Sequence, residues 1–215
     1  MPDTIGNNLP AQIGEVLIRE KLGEGGRSIV YGGEWRQQQV ALKVYKPKGI
    51  KNHCKRHSSN IAEFEFQRNK AFYELPGLSD YIAKPLYFWA RPDFCAMVQE
   101  RLTGPLYYFY YRDKKGLVAP GFKRHLQTII DLAHDGGLFD VDMHAFNVIV
   151  DESRSEPIPK LFDFNLIPFH ERTGLSLSNV LLKLGLINKT SRDKRMLRNF
   201  DKTAKREKKL VKYFE

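Results

Sequence analysis

The sequence predicts an α+β chain in two successive parts. Residues 11–103 read as β-rich with one helix, and residues 104–215 as helical with a short β-hairpin between the helices. Three observations carry this. Runs of β-branched and aromatic residues, broken by glycine turns, fill most of residues 13–45 and 81–102. A single helical stripe, Ile61, Phe64, Phe72 and Leu75, interrupts them. Beyond Thr103-Gly104-Pro105 the apolar residues fall at helical spacing instead.

Each element follows from its residues. "IGEVLIREKLGEGG" runs as a strand into a glycine turn, and "RSIVYGGEW" and "QQQVALKVYK" continue as strands. Gly32-Gly33 and Gln37–Gln39 are the expected connecting turns. "KPKGIKNHCKRHSSN" is basic, polar and expected to be a loop. Ser59 or Asn60 can cap a helix over Ile61–Leu75. "YIAKPLYFWARPDFCAMVQERL" reads as two strands around Pro92-Asp93. In residues 121–138 the spacing of Phe122, Leu126, Ile129, Ile130 and Ala133 is helical, and Gly136-Gly137 ends it. "VIVD" and "KLFDFNLIPF" form the hairpin, and a basic helical stretch closes the chain.

A chain of 215 residues with 42% hydrophobic content can bury a core, as one domain or two small lobes. Its formal charge of +10 favours anionic partners without choosing among nucleotides, nucleic acid and membrane surface. Cys54 and Cys95 lack framework spacing and are expected as reduced thiols in a cytoplasmic protein. "MPDTIGNNLP" is not patterned as a signal peptide, and no apolar run is long enough to span a bilayer.

Four stretches carry candidate chemistry. In "LGEGGRSIVY", Gly23, Gly25 and Gly26 would let backbone N–H groups approach phosphates; a plain hairpin turn is the bland alternative. In "VALK", Lys43 sits inside an apolar strand and needs an anionic partner. Glu65 is the first choice and Glu63 the second; the bland alternative is an edge-strand lysine. In "FDVDMHAFNVIV", Asp140, Asp142, His144 and Asn147 interrupt an otherwise apolar run. In "FDFN", Asp163 follows two apolar residues. Asn147 and Asp163 offer hard oxygen ligands suited to Mg²⁺, leaving Asp142 to accept a hydroxyl proton.

Taken in this order, the four stretches resemble the protein-kinase-like superfamily from about Ile13 to Phe169. The resemblance implies a two-lobe protein-kinase-like fold with a truncated helical C-lobe, binding ATP and Mg²⁺. It implies a glycine-rich loop at Gly23–Ser28, with Val30 and Ala41 also at the nucleotide, a phosphate-binding lysine at Lys43, catalytic Asp142 and metal ligands Asn147 and Asp163. "VQERL" falls where the family places its adenine-binding hinge, with backbone contacts at about Glu100–Leu102.

The departures are informative. Ser28 replaces the third loop glycine, and Asp140-Val141-Asp142 stands where protein kinases carry His-Arg-Asp. Asn165 replaces the glycine of Asp-Phe-Gly and is expected to supply the positive φ of that turn. No Ala-Pro-Glu follows, so the peptide-substrate platform of a protein kinase is expected to be missing or rebuilt. His144 stands where protein kinases place lysine and where aminoglycoside and choline phosphotransferases place histidine. Residues 166–200 resemble the small bacterial PhoP-regulatory-network (YrbL) family, and the Asp142–Asn147 stretch is also similar to that of the lipopolysaccharide-core sugar kinases. A sugar, glycolipid or small-molecule hydroxyl is therefore expected as acceptor ahead of protein, and nucleic acid is not expected as a partner. The rival expectation is a catalytically idle kinase-like binding protein.

The remaining signals have plainer readings. "HCKRH", His53 to His57, is spaced for metal but lacks a second cluster, so a solvated basic loop is expected. "LYYFYYRDKKG" reads as a hinge helix packed by its aromatics, His134 as packing or capping its helix end, and Asp140 as either orienting the loop or playing no catalytic part. Residues 188–215 hold eleven Lys or Arg against four acids. With Phe200, Ala204, Val211 and Phe214 as an apolar seam, they read as a docked helix with a basic face. The alternative is a helix that touches an anionic membrane.

Overall fold

The alternation of β-branched residues in the first half builds one antiparallel sheet. The structure is a computed structural model and describes residues 4–5, 9–92, 94–171 and 177–202. A short ribbon of β1 (Thr4–Ile5) and β2 (Leu9–Pro10) precedes β3 (Gln12–Ile13), β4 (Val16–Glu24), β5 (Ser28–Trp35) and β6 (Gln38–Tyr45). Two helices follow, α1 (Pro47–Cys54) and α2 (Ile61–Glu74), then β7 (Pro85–Ala90) and β8 (Cys95–Glu100). The six-stranded sheet runs β3-β4-β5-β6-β8-β7.

The two faces of β6 set up the site. Val40 and Leu42 pack with Val16, Ile18, Trp35, Ala96 and Val98 on one face. Side chains two apart share a face, so Ala41, Lys43 and Tyr45 point the other way, where Tyr45 packs with Ile61 and Ala62 of α2. A lysine on this strand therefore faces a helix rather than solvent.

Two expectations in this half are corrected. Gly32-Gly33 is not a turn but lies inside β5, because a Cβ at Gly33 would meet the Leu17 carbonyl oxygen at 2.3 Å across the ladder. The turn falls at Arg36 (φ 51°) and Gln37 (φ 65°), the two-residue geometry whose twist matches that of the strands. The basic stretch after Lys46 is not a loop up to Asn60. Its first half is α1, with Pro47 in the first turn, where a missing N–H costs nothing.

Asn60 Oδ1 caps α2 by accepting the Ala62 N–H at 2.8 Å. Ile61, Phe64 and Phe72 are buried as expected, and Leu75 is partly buried at the helix end. The second half contributes α3 (Tyr107–Asp113), α4 (Pro120–Asp135), β9 (Val148–Asp151), β10 (Ile158–Leu161), α5 (Leu177–Lys183) and α6 (Ser191–Arg198). Phe72 of α2 joins Phe122, Leu126, Ile129, Ile130, Met143, Phe146, Val148 and Phe164 in one continuous core. Its ring lies 4.9 Å from that of Phe164, next to Asp163. Truncating Phe72 to Ala would cost roughly 3–5 kcal/mol.

Gly136 caps α4, and Gly137 follows at φ 76°. Tyr107, Tyr108 and Tyr110 of α3 are buried, so the aromatic run is packing. Phe200 is buried 4.6 Å from the Tyr107 ring, and Tyr107 Oη donates to Asp201 Oδ1 at 2.8 Å. Ala204, Val211 and Phe214 of the expected seam lie outside the described residues. Among the described residues no helix is long and apolar enough to cross a membrane.

Candidate active site

Where the sheet meets the segment after Arg101, a cleft of about 570 Å³ opens. Gly23, Gly25, Gly26, Ser28, Val30, Ala41, Lys43, Glu100, Leu102, Asn147 and Asp163 all line it. Glu65 stands behind Lys43, and Asp142 and His144 lie outside this lining. Leu22, Leu106, Phe146, Ile149 and Phe162 supply apolar walls that sequence reasoning did not single out. One signal was available for Ile149. Val148 and Val150 alternate into the core, which turns Ile149 toward the opposite side.

Lys43 is held at three points. Its Nζ lies 2.7 Å from Glu65 Oε1, 3.0 Å from Glu65 Oε2 and 2.8 Å from Asp163 Oδ1. Tyr45, two residues along the same face, donates its hydroxyl to Glu65 Oε2 at 2.5 Å. The open choice between Glu63 and Glu65 is thereby settled for Glu65, which is fully buried. Burial works against the Lys43 ammonium, but the charges of Asp163 and Glu65 outweigh it, and the net shift is upward. Burial likewise opposes the Asp163 carboxylate, yet Lys43 holds its pKa below the usual value. For Glu65 burial prevails over Lys43 and the pKa rises.

The Asp140–Asn147 loop is fastened from below by residues distant in sequence. Asp193 of α6, fully buried, accepts the backbone N–H of Asp140 at 2.8 Å and of Val141 at 2.9 Å. His134 Nε2, at the end of α4, lies 3.0 Å from the same carboxylate. Arg68 of α2 donates to the carbonyl oxygens of Phe139 and Asp140. Val141 and Met143 are buried between these anchors, which leaves Asp142 and His144 to the outer side. Arg192 Nη2 approaches Asp142 Oδ1 at 3.7 Å and its Nε approaches Asp140 Oδ1 at 3.9 Å. Asp140 thus belongs to the loop's framework. Burial raises the Asp142 pKa, although His144 and Arg192 oppose the rise.

Asn147 donates from Nδ2 to the Asp142 carbonyl at 3.0 Å, which leaves its Oδ1 as the acceptor for a cation. Asp163 supplies the charged oxygen on the same cleft wall. These two fit Mg²⁺, which takes few protein oxygens and completes its shell with water and phosphate. Among the described residues no cluster of three His, Cys, Asp or Glu could hold a metal by itself.

One backbone expectation is corrected. The left-handed residue of the "FDFN" turn is Asp163 (φ 70°), not Asn165. Asn165 instead works through its side chain, donating Nδ2 to Asp163 Oδ1 and accepting from Arg27 Nη1 at 3.2 Å. Asp140 (φ 58°) and Asp142 (φ 56°) are left-handed too. Sequence reasoning did not single out Asp193, Arg68, Arg192, Tyr45 or Arg27.

This architecture is that of protein kinase domains. The kinase domain of Mycobacterium tuberculosis PknI superposes with a TM-score of 0.53 at 18% identity, over 73% of this chain and 62% of that one. A structure titled "PpkA-294 apo form" superposes with a TM-score of 0.55 at 22% identity, over 74% of this chain and 62% of that one. The match thus takes in less than two thirds of each of these longer chains. No protein-family model and no curated protein matches the sequence.

Proposed function

We propose that the chain is an ATP-dependent phosphotransferase that moves the γ-phosphoryl group to a hydroxyl acceptor. The observation that carries this reading is Lys43, a buried ammonium on the cleft wall held between Glu65 and Asp163. A phosphate arriving with its cation would take over the Asp163 contact, freeing one ammonium N–H for a phosphate oxygen while Glu65 keeps the lysine in place. The cleft would lie between lobes 11–103 and 104–215, hinged at Thr103–Leu106.

In this reading Lys43 donates to phosphate oxygens, and the Gly23–Ser28 turn offers backbone N–H groups above them. Val30, Ala41 and Leu102 bracket the base, whose edge faces the backbone of Glu100–Leu102. Asn147 and Asp163 would hold Mg²⁺, which when bound neutralises charge shared among the phosphates. Asp142 accepts the proton of the attacking hydroxyl, and its raised pKa suits that task better than an ordinary carboxylate would. His144 and Arg192 beside it orient or pair with the acceptor. A neutral or anionic small hydroxyl compound, a sugar or a membrane glycolipid fits these groups. The eleven Lys or Arg of residues 188–215 would give a peripheral contact with anionic lipid.

The test is incorporation of label from Mg-ATP carrying a labelled γ-phosphate, with cell extract split into protein, lipid and small-molecule fractions. Label in the lipid or small-molecule fraction that disappears with Asp142→Asn supports the reading. Tight nucleotide binding with no labelled product in any fraction would instead establish the catalytically idle alternative.

A further inference from the structure

A second, much smaller pocket of about 70 Å³ shares no lining residue with the cleft and takes in Arg27 of the glycine turn. It is bounded by α1, the first residue of α2 and the segment just after Asp163. It has room for a group of a few non-hydrogen atoms, far less than a nucleotide needs. Its polar lining is Arg27, Asn52, His53, Arg56 and Asn165, with no carboxylate among the lining residues. Neither Arg27 nor Arg56 forms an ion pair among the described residues.

His53 is the feature that ordinary packing does not explain. It is 5% exposed and packed, with tilted rings, against Phe64 and His57, and its Nε2 has no hydrogen-bond partner among the described residues. A buried ring nitrogen without a partner loses its hydration for nothing in return. Two guanidinium groups, a side-chain amide donor and the His53 side chain line the pocket beside the N-terminus of the 14-residue α2, where Ile61 also lines it. Both the helix dipole and the guanidinium forks select for an oxyanion.

We propose that this pocket is a binding site for a phosphate dianion, either inorganic phosphate or the phosphoryl group of a small monoester. The consequence runs through Arg27. The Lys46 N–H already bonds the Arg27 carbonyl at 2.8 Å, and a Cβ at Gly49 would meet that same oxygen at 2.5 Å, so α1 lies directly against the glycine turn. Arg27 also reaches Asn165, which bonds Asp163. An anion clamped between Arg27 and Arg56 would fix the turn to α1 and steady Asn165 against Asp163. Site occupancy would thereby set how firmly the glycine turn closes over the cleft.

The experiment is calorimetric titration of the full chain, without nucleotide, with inorganic phosphate, glycerol 3-phosphate and chloride as separate arms. Saturable binding of phosphate or of the monoester, but not of chloride, is expected, and comparison of those two arms distinguishes the source. Arg56→Gln, at an exposed position outside the cleft lining, should weaken binding roughly 10- to 100-fold, the loss of one charge-assisted partner. Arg101→Gln, which removes a cleft cation outside the Arg27–Asn165–Asp163 contacts, should leave it unchanged, because the cleft is a separate site. In the wild type, the His53 imidazole resonances should shift as phosphate is added. Binding that survives Arg56→Gln unweakened or vanishes with Arg101→Gln overturns the proposal, as does a His53 signal indifferent to phosphate.

Discussion

The carboxylate of Asp193 lies 2.8 Å from the backbone nitrogen of Asp140, fifty-three residues earlier in the chain. It also bonds Val141 and His134, so a single buried side chain on α6 fixes the loop that carries Asp142. Asp193→Ala would leave two buried N–H groups without partners, at about 1–3 kcal/mol each. The chain should unfold at a transition lower by roughly 5–15 °C in a thermal melt. Asp193→Asn, which retains one acceptor oxygen, should cost less.

Lys43, Glu65 and Asp163 share one ammonium between two carboxylates. Lys43→Met leaves the two acids facing each other and should destabilise by about 3–5 kcal/mol. Glu65→Gln leaves the lysine paired with Asp163 and should cost less. Urea denaturation of both variants and the double variant should give non-additive costs, with a coupling of about 0.5–3 kcal/mol. Additive values would mean the pair does not act as a unit.

The two proposed catalytic acids should separate by assay. Asp163→Asn is expected to weaken Mg-ATP while leaving ATP binding in EDTA nearly unchanged, as measured by calorimetry. Asp142→Asn is expected to keep Mg-ATP affinity while turnover falls by roughly 10²–10⁴.

Acid should find a weak point at His53. Burial, with His57 and Arg27 nearby, holds its imidazole down to about 4 from the usual 6.5. Below pH 6.5 the unfolded chain takes up this proton while the folded chain refuses it until near pH 4. The folded state is therefore unpenalised above 6.5 and loses stability as pH falls through that window, by up to about 3 kcal/mol. His53→Phe keeps an aromatic ring against Phe64 and cannot titrate, so its melting temperature should fall less steeply between pH 6.5 and 4.

The parts of this molecule legible in sequence are those where chemistry and pattern coincide locally. Lys43 stood out as a charge in an apolar strand, and the spacing from Asp142 to Asn147 needed no distant partner. Glu65 could not be separated from Glu63 until α2 had a register, in which Glu65 falls on the buried stripe with Ile61 and Phe72. α1 was missed because its sequence is almost wholly polar. It is made by contact instead, with Gly49 under the Arg27 carbonyl and His53 against Phe64. Asp193 was unreadable for a related reason: the two loop groups it holds, the Asp140 and Val141 N–H, are backbone and leave no residue signature.

The left-handed backbones of Asp140, Asp142 and Asp163 restrict which replacements are informative. Aspartate, asparagine and glycine enter that region with little steric cost, whereas alanine and larger residues pay roughly 1–2 kcal/mol in backbone conformation before any chemistry is lost. An alanine scan of this site would therefore mix mis-set loops with missing carboxylates, and the asparagine series isolates the charge. In a saturation library selected only for folding, the tolerated set at these three positions should collapse toward Asp, Asn and Gly, while neighbouring Val141 and Met143 accept apolar residues of similar size. Such a pattern would mark the three turns as constraints of shape, independent of any chemistry the carboxylates carry.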